Sequence, residues 1–311
     1  MKKVLIANRG EIAIRIARTC SDLGLKTVGI YSEDDSNSLH LSKVDEAFKI
    51  EGNGAQAYLN IKEIIAVAKK SKVDAIHPGY GFLSENSSFA SAAKRAKIKF
   101  VGPSERTLKI FGDKTSAKEL ALSLGIPVIA GTKQKTTLKQ AQDFLKSLKK
   151  NSSVVIKAIS GGGGRGMRVV SKPDDLKESF DRASSEAKAS FDSPDLYLEE
   201  YLRDYRHIEF QILGDGTGAV SHLHERECSI QRRYQKLIEI APSPSLNVDL
   251  KSRMIEASLA LTQKLKYEGL ATIEFLVNIE KNDFRFIECN PRLQVEHTVT
   301  ESVLSLDLVR A

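Results

Sequence analysis

The sequence predicts an α/β protein with two or three domains, on the strength of three observations. Over the first third of its 311 residues, short apolar runs alternate with helical patterns, which indicates an open, mostly parallel sheet. In the middle, a run of glycines lies between two β-rich segments. In the last third, consecutive strands accompany one long helix. This last part is therefore expected to be α+β, and a chain of this length can bury a substantial core.

The first third contains four predicted strands and three predicted helices. The strands are expected at residues 4–7, 27–31, 75–77 and 98–101, and the helices at 11–23, 61–70 and 89–96. This order is that of a Rossmann-type layer. A dinucleotide site would need three glycines at fixed spacing in the first turn, but the turn Asn8-Arg9-Gly10-Glu11 has one. NAD binding is therefore not expected.

The remaining elements follow from the same patterns. Two helices, at 104–111 and 114–124, lead into a smaller unit at 127–202. That unit should contain an initial strand and helix, then strands at 154–158, 167–170 and 196–199 with a helix at 174–189. Beyond it we expect strands at 208–213 and 219–224, a helix at 249–266 and two strands that carry acids.

A glycine-rich segment, residues 160–166, separates two of these strands. Its four successive glycines let backbone N–H groups approach anionic oxygens, and Arg165 adds positive charge. No Gly-Lys-Ser/Thr follows, so the segment is not a Walker loop. We interpret it as a hairpin able to fold over a triphosphate, the alternative being a plain turn. Lys157, on a buried-looking strand just before it, is expected to have an anionic partner such as phosphate.

Acidic residues on apolar strands predict a metal site. Glu274 and Glu288 are expected on neighbouring strands, where acids are costly unless they are paired or bind metal. Their oxygens suit Mg²⁺. From residue 288 to residue 296 a polar group also recurs at every second position. An extended backbone would place these groups on one face: Glu288, Asn290, Arg292, Gln294 and Glu296. The solvated face of an edge strand would look the same, but we favour a metal and anion site.

Residues 226–236 hold a dense group of cations. A solvated loop or a nucleic-acid contact would give such a segment. Because only Tyr234 offers a stacking surface, a small anion is the expected target. His222 and His224 share a strand face without a third ligand, so we interpret them as structural.

Composition argues against several classes of protein. The net charge of +7 is spread along the chain among acids, which indicates a solvated surface. No apolar run is long enough for a bilayer, and Met1 leads directly into a strand, so neither a membrane span nor a signal peptide is expected. Cys20, Cys228 and Cys289 are far apart and lack disulfide or zinc spacing. A cytoplasmic protein is expected.

Six segments, in the same order along the whole chain, resemble the biotin carboxylase module of biotin-dependent carboxylases. They are residues 7–13 (ANRGEIA), 77–86 (HPGYGFLSEN), 112–114 (GDK), 161–167 (GGGGRGM), 231–236 (QRRYQK) and 290–297 (NPRLQVEH). Their joint occurrence is highly specific. Within the wider ATP-grasp superfamily, the ending Gln294-Val295-Glu296-His297 points away from carbamoyl-phosphate synthetase.

The resemblance implies a three-part ATP-grasp fold. The parts would be a Rossmann-like pre-ATP-grasp domain at 1–112, linker helices and a lid with the glycine loop at 113–202, and a metal- and bicarbonate-binding domain at 203–311. The family's module continues beyond a length of 311 residues, so the resemblance also implies that the third part is truncated here.

A role for each matching residue is implied as well. ATP would contact Lys114, Lys157, Gly162, Gly163, Gly164, Glu199, Glu200, Leu202, His207, Gln231, Tyr234 and Leu276. Mg²⁺ or Mn²⁺ would be bound by Glu274, Glu288 and Asn290. Bicarbonate would be bound by Lys236, Arg292, Gln294, Glu296 and the backbone amide of Val295. Glu296 would be the catalytic base, assisted by Arg292 and Lys236.

The implied activity is the ATP-dependent carboxylation of biotin by bicarbonate through carboxyphosphate. The implied partners are a biotin carboxyl carrier protein or domain, a carboxyltransferase domain or subunit and, for the complete module, a second copy in a homodimer. No nucleic acid or membrane partner is expected. Two alternatives stay open: another ATP-grasp ligase that activates a carboxylate, and a nucleotide-binding fragment without catalysis.

Overall fold

Three β-sheets organise the chain in the computed structural model, which describes residues 1–132, 135–150, 152–159, 167–232 and 234–311. Separate clusters of buried apolar side chains pack against the three sheets. The expected α/β class is confirmed, with one parallel sheet and two antiparallel sheets.

The first sheet is parallel, with strand order β3-β2-β1-β4-β5. Its strands are β1 (Lys3–Ile6), β2 (Lys26–Tyr31), β3 (Glu46–Lys49), β4 (Ala75–His77) and β5 (Lys99–Phe100). The accompanying helices are α1 (Gly10–Asp22), α2 (Gly54–Ala57), α3 (Ile61–Lys70) and α4 (Ser87–Arg95). All four predicted strands and all three predicted helices are present. The pattern missed β3, a short and mostly exposed strand at the sheet edge.

Three helices follow this sheet, and side chains cap their N-termini. They are α5 (Glu105–Gly112), α6 (Lys114–Ser123) and α7 (Leu138–Ser147). Asp113 caps α6 by accepting from the Ser116 N–H, and Thr137 forms a capping box with Gln140. Each cap satisfies a backbone donor that the helix leaves free. Because α6 begins at Lys114, this lysine lies at the start of a well-anchored helix.

The second sheet is antiparallel, with order β7-β6-β8. It comprises β6 (Ser153–Ala158), β7 (Met167–Val170) and β8 (Leu196–Tyr201), covered by α8 (Leu176–Phe191). The predicted strand at the beginning of this unit is wrong. Val128 and Gly131 form only isolated bridges, to Phe286 and to Glu199, because the chain crosses here from one sheet to another. The glycine segment at 160–166 lies outside the described residues.

The third sheet is antiparallel, with order β11-β10-β9-β12-β13. Its elements are β9 (Arg206–Asp215), β10 (Val220–Arg232), β11 (Gln235–Ile240), α9 (Val248–Lys264), β12 (Glu268–Asn278), β13 (Asp283–Asn290) and α10 (His297–Leu304). Strand β10 runs well past the predicted residue 224, because a register shift between His222 and Glu225 lets the pairing with β9 continue. The cationic segment is therefore a hairpin of β10 and β11.

The prediction of one extended strand from 288 to 296 is wrong. Strand β13 ends at Asn290, where Pro291 follows and has no N–H for a ladder. Glu296 is the N-cap residue of α10. Polar groups from 292 to 296 thus come from an irregular segment between a strand and a helix, and no common strand face aligns them.

Two expectations from composition can be compared with the structure. Cys20, Cys228 and Cys289 are all buried and unpaired, as their spacing predicted. Within the described ranges, no helix is both long enough and apolar enough to cross a bilayer.

Gly214 offers a test of the third sheet's packing. A Cβ at this position of β9 would lie 2.3 Å from the Tyr267 carbonyl oxygen, and a backbone atom cannot move aside as a side chain can. We expect Gly214→Ala to lower the free energy of unfolding by about 1–3 kcal/mol, measured by urea denaturation. Gly112→Ala is the control, because a Cβ there meets open space. Equal unfolding midpoints for the two variants would contradict this packing.

Candidate functional site

Three glutamates lie side by side across the third sheet. Glu209 of β9 pairs with Glu274 of β12, and Glu274 pairs with Glu288 of β13. Their neighbours Phe210 and Ile273 are buried in the core beneath this sheet. Because side chains alternate along a strand, the glutamates project from the opposite face.

Lys236 neutralises this acidic row. Its Nζ lies 2.5 Å from Glu209 Oε2, 3.1 Å from Glu274 Oε1 and 2.7 Å from Glu296 Oε1. The hairpin of β10 and β11 places it there through the pairing of Gln231 with Lys236. Burial lowers the pKa of Lys236, but the surrounding carboxylates raise it more, so that the pKa lies above its usual value. The amine is therefore a permanent cation.

Glu274 is held on both of its oxygens. His207 Nε2 lies 2.7 Å from Oε2, and Asn290 Nδ2 donates to Oε1 at 2.7 Å. On the other side of the imidazole, Gln231 Nε2 lies 2.7 Å from His207 Nδ1. Burial raises the pKa of Glu274, but His207 and Lys236 outweigh it and hold the pKa below its usual range. The same contact raises the pKa of His207 despite burial.

Glu288 is compensated less than Glu274. Lys114 lies near it, with Nζ 3.7 Å from Oε2, and 34% of the Glu288 side chain is exposed. Burial and the charge of Glu274 raise its pKa. A divalent cation between Glu274 and Glu288 would relieve this repulsion, and Asn290 adds an amide oxygen. These hard oxygen donors fit Mg²⁺ or Mn²⁺.

Glu296 stands at the other end of the cluster, above the N-terminus of α10. With the Gln294 amide oriented to satisfy both its neighbours, its nitrogen donates to Glu296 Oε1 at 2.6 Å and its oxygen accepts from Asn290 Nδ2 at 2.9 Å. Burial raises the pKa of Glu296, but Lys236 outweighs it and lowers the pKa overall. The carboxylate is thus ionised and makes no capping bond to its own helix.

Arg292 points toward the segment between β4 and α4. Its Nε donates to Glu85 Oε1 at 2.6 Å, and Nη2 lies 3.4 Å from Asn290 Oδ1. The neighbouring Val295 has an exposed side chain. Arg292 therefore lies at the rim of the cluster.

A second charged group lies between the smaller sheet and α6. Lys157 of β6 and Lys118 of α6 both contact the carboxylate of Glu199 on β8. Burial raises the pKa of Glu199, but the two lysines lower it below its usual range. Glu200, next along β8, accepts from Ser152 Oγ at 3.3 Å.

The remaining predicted nucleotide residues come from three separate parts of the fold. Leu276 pairs with His207 across β12 and β9, Leu202 follows directly after β8, and Tyr234 is half exposed at the β10–β11 turn. Gly162, Gly163 and Gly164 lie outside the described residues. Lys114 connects the two groups, since it lies on α6 with Lys118 and its Nζ is 3.7 Å from Glu288 Oε2.

Sequence patterns missed three residues that the structure brings to these groups, Glu85, Lys118 and Glu209, and included Arg226 only as part of the cationic segment at 226–236. A signal for one of them was present. Glu209 lies between Ile208 and Phe210, so the rule that singled out Glu274 applies to it too. The others depend on contacts between distant segments, such as Arg226 Nε with Glu209 Oε1 at 2.6 Å.

Taken together, the two groups can bind an anionic nucleotide, a divalent cation and a small anion. Lys157 and Lys118 could supply charge for phosphates, and Glu274 with Glu288 could supply metal ligands. Lys236 could attract a second anion, beside a carboxylate, Glu296, that is able to accept a proton. This set suits the transfer of a phosphoryl group to a small oxyanion.

Two family models together match nearly the whole chain. The one described as "Biotin carboxylase, N-terminal domain" matches residues 1–108. The one described as "Carbamoyl-phosphate synthase L chain, ATP binding domain" matches residues 113–311.

Individual relatives agree with these models. Pyruvate carboxylase of Bacillus subtilis is 49% identical over 314 residues, which is 100% of this chain and 27% of that protein. The chain thus spans about a quarter of the curated relatives it matches. Biotin carboxylase of Campylobacter jejuni, solved as a complex titled β-γ-ATP, superposes with a TM-score of 0.94 at 43% identity, over 99% of this chain and 69% of that one. The biotin carboxylase domain dimer of Hydrogenobacter thermophilus 2-oxoglutarate carboxylase, solved with MgADP, ADP and bicarbonate, gives 0.94 at 42% identity, over 99% and 68%.

Proposed function

The chain belongs to the biotin carboxylase family, and from this premise we propose that it carboxylates biotin with bicarbonate at the expense of ATP. This would be the first half-reaction of a biotin-dependent carboxylase. The observation that carries the proposal is the contact of Glu296 with Lys236, at 2.7 Å. It places an ionised carboxylate and a cation together where a small anion would bind.

Bicarbonate would bind beside Lys236 and Glu296. Lys236 and Arg292 attract its charge, while Gln294 and the Val295 amide fix its orientation. Glu296 removes the proton of its O–H group, because a weak nucleophile needs a base within hydrogen-bond reach. The freed oxygen attacks the γ-phosphorus of ATP, the bond to the β-phosphate oxygen breaks, and ADP and carboxyphosphate result.

Carboxyphosphate then divides into CO₂ and phosphate. The phosphate oxygen removes the proton of the biotin ureido nitrogen, and this nitrogen attacks CO₂ to give carboxybiotin. No residue of the described cluster is needed as a second base.

ATP would lie between the two charged groups. Lys114 and Lys157 would bind its phosphates together with Gly162, Gly163 and Gly164. Its base and ribose would contact Glu199, Glu200, Leu202, His207, Gln231, Tyr234 and Leu276. Glu274, Glu288 and Asn290 would hold Mg²⁺ or Mn²⁺, which neutralises phosphate charge when bound.

The domain limits, partners and location are proposed on the same basis. The domains would be 1–112, 113–202 and 203–311. Carrier-bound biotin and a carboxyltransferase are the proposed partners, a homodimer the proposed assembly, and the cytoplasm the proposed location. One structural neighbour is titled a single-chain, multi-domain long-chain acyl-CoA carboxylase, and such an arrangement would supply these partners within one polypeptide.

Release of phosphate from MgATP tests the proposal. In buffer freed of CO₂, we expect little release until bicarbonate is added, a further rise with free biotin, and none once the metal is chelated. Biotin alone should have no effect, because it reacts only with CO₂ already formed. Cleavage of ATP that is indifferent to bicarbonate would overturn the proposal.

A further inference from the structure

We propose that Arg226 is a positioning residue for bicarbonate: it holds Glu209 and α10 so that Lys236 and Glu296 keep the spacing that the anion requires. This inference rests on the proposed function and adds a residue to it. Arg226 itself is too deeply buried to touch any substrate.

Arg226 is the largest fully buried side chain in the described part of the protein. Its Nε donates to Glu209 Oε1 at 2.6 Å, and Nη1 donates to Gln211 Oε1 at 2.9 Å and to Thr300 Oγ1 at 2.8 Å. Nη2 lies 3.3 Å from Thr272 Oγ1. These bonds reach β9, β12 and α10, so the planar guanidinium has a single possible orientation.

Glu209 connects Arg226 to the proposed bicarbonate site. Its side chain is fully buried, and its two oxygens are divided between two cations: Oε1 accepts from Arg226, and Oε2 contacts Lys236 at 2.5 Å. Because Arg226 neutralises part of the charge of Glu209, Lys236 can still attract a second anion. Loss of the guanidinium would remove one of the two cations that the Glu209 oxygens contact.

Thr300 provides a second connection, from Arg226 to α10. It lies four residues after Glu296, one turn into the helix that Glu296 begins. The contacts therefore form a closed ring, in which Glu296 contacts Lys236, Lys236 contacts Glu209, Glu209 contacts Arg226, and Arg226 contacts the helix of Glu296.

The stability of the fold does not explain this arrangement well. A buried ion pair usually gains little over apolar residues of the same shape, because both charges lose their hydration. What such a pair does provide is a fixed geometry. In this ring the geometry that is fixed is the distance between the cation and the base of the bicarbonate site.

The test compares variants that cut or keep the bond to α10. Thr300→Val replaces the hydroxyl by a methyl group of similar size, and we expect it to raise the KM for bicarbonate about tenfold. Thr300→Ser keeps the hydroxyl and should restore a value near that of the wild type. Arg226→Lys, which keeps the charge without the fork, should behave like Thr300→Val. In all three the KM for ATP should stay unchanged.

Thr298→Val is the matched control, since this threonine is exposed on the same helix. Unfolding midpoints are measured alongside, and if Arg226→Lys does not fold, the two Thr300 variants decide. A bicarbonate KM in Thr300→Val equal to that of the wild type, or raised equally in Thr300→Ser, would overturn the inference. If the wild type itself ignores bicarbonate, the proposed function fails, which is a different result.

Discussion

Replacement of Lys236 by methionine is expected to lower the free energy of unfolding by about 3–5 kcal/mol near neutral pH. The substitution keeps the length of the side chain but removes its charge. It leaves Glu209, Glu274 and Glu296 close together without the cation that all three contact. Urea denaturation at about pH 7.5 measures the loss.

The loss should shrink as the pH falls. In the wild type, the pKa values of Glu274 and Glu296 lie below their usual range in the folded state. Their stabilising contribution is therefore present above the unfolded pKa and disappears as the pH falls through the folded pKa. Without Lys236 the depression is weakened, so the difference in the free energy of unfolding between variant and wild type should narrow as the pH falls below the ordinary glutamate pKa, about 4.3.

Lys109→Met provides the control for this prediction. Lys109 pairs with Glu105 on the exposed surface of α5, and such pairs contribute about 0–1 kcal/mol. If Lys236→Met is as mild as this control at neutral pH, or if its effect does not change with pH, the charged cluster does not stabilise the fold as described.

Glu296→Gln is expected to reduce bicarbonate-dependent ATP cleavage by about 10²–10⁴-fold, the usual contribution of a general base. Glutamine fills the same space and can still accept a hydrogen bond, but it cannot take up the proton of bicarbonate. Binding of MgATP, followed by calorimetry, should not change, because Glu296 is not among the proposed nucleotide contacts. Phosphate release at saturating bicarbonate measures the effect.

Glu256→Gln is the matched control for this substitution, because Glu256 is exposed on α9 and should retain full activity. Full activity in Glu296→Gln would show that Glu296 is not the base of the reaction. Loss of MgATP binding in the same variant would instead show that the substitution disturbs the fold around the site.

Sequence alone predicted the elements of the fold well where apolar periodicity was strong. The strand at 75–77 and the helix at 61–70 were placed at their observed limits, since the strand is a short buried apolar run and the helix buries one regular face. The pattern failed for the strand extended to residue 296. Alternation of polar groups there arises in a segment that turns at Pro291, and a period of two does not by itself require a strand.

The individual residues of the site were predicted better than the contacts between them. Glu274 and Glu288 were recognised because acids on apolar strands are costly, and the structure brings them to paired positions. The ring through Arg226 was not foreseen, because it joins β9, β10 and α10 across distances in sequence that no local pattern reports. Similarly, the contact of Arg292 with Glu85 joins the segment after β13 to the segment after β4, far apart in sequence.

Transfer of oxygen from bicarbonate to phosphate is the most direct test of the central claim, that Lys236 and Glu296 together prepare bicarbonate to attack ATP. With MgATP and ¹⁸O-labelled bicarbonate in unlabelled water, the released phosphate should carry an oxygen from bicarbonate, since carboxyphosphate breaks between carbon and that oxygen. Mass spectrometry of the phosphate reports this directly. Phosphate that takes its new oxygen from water alone would contradict the account.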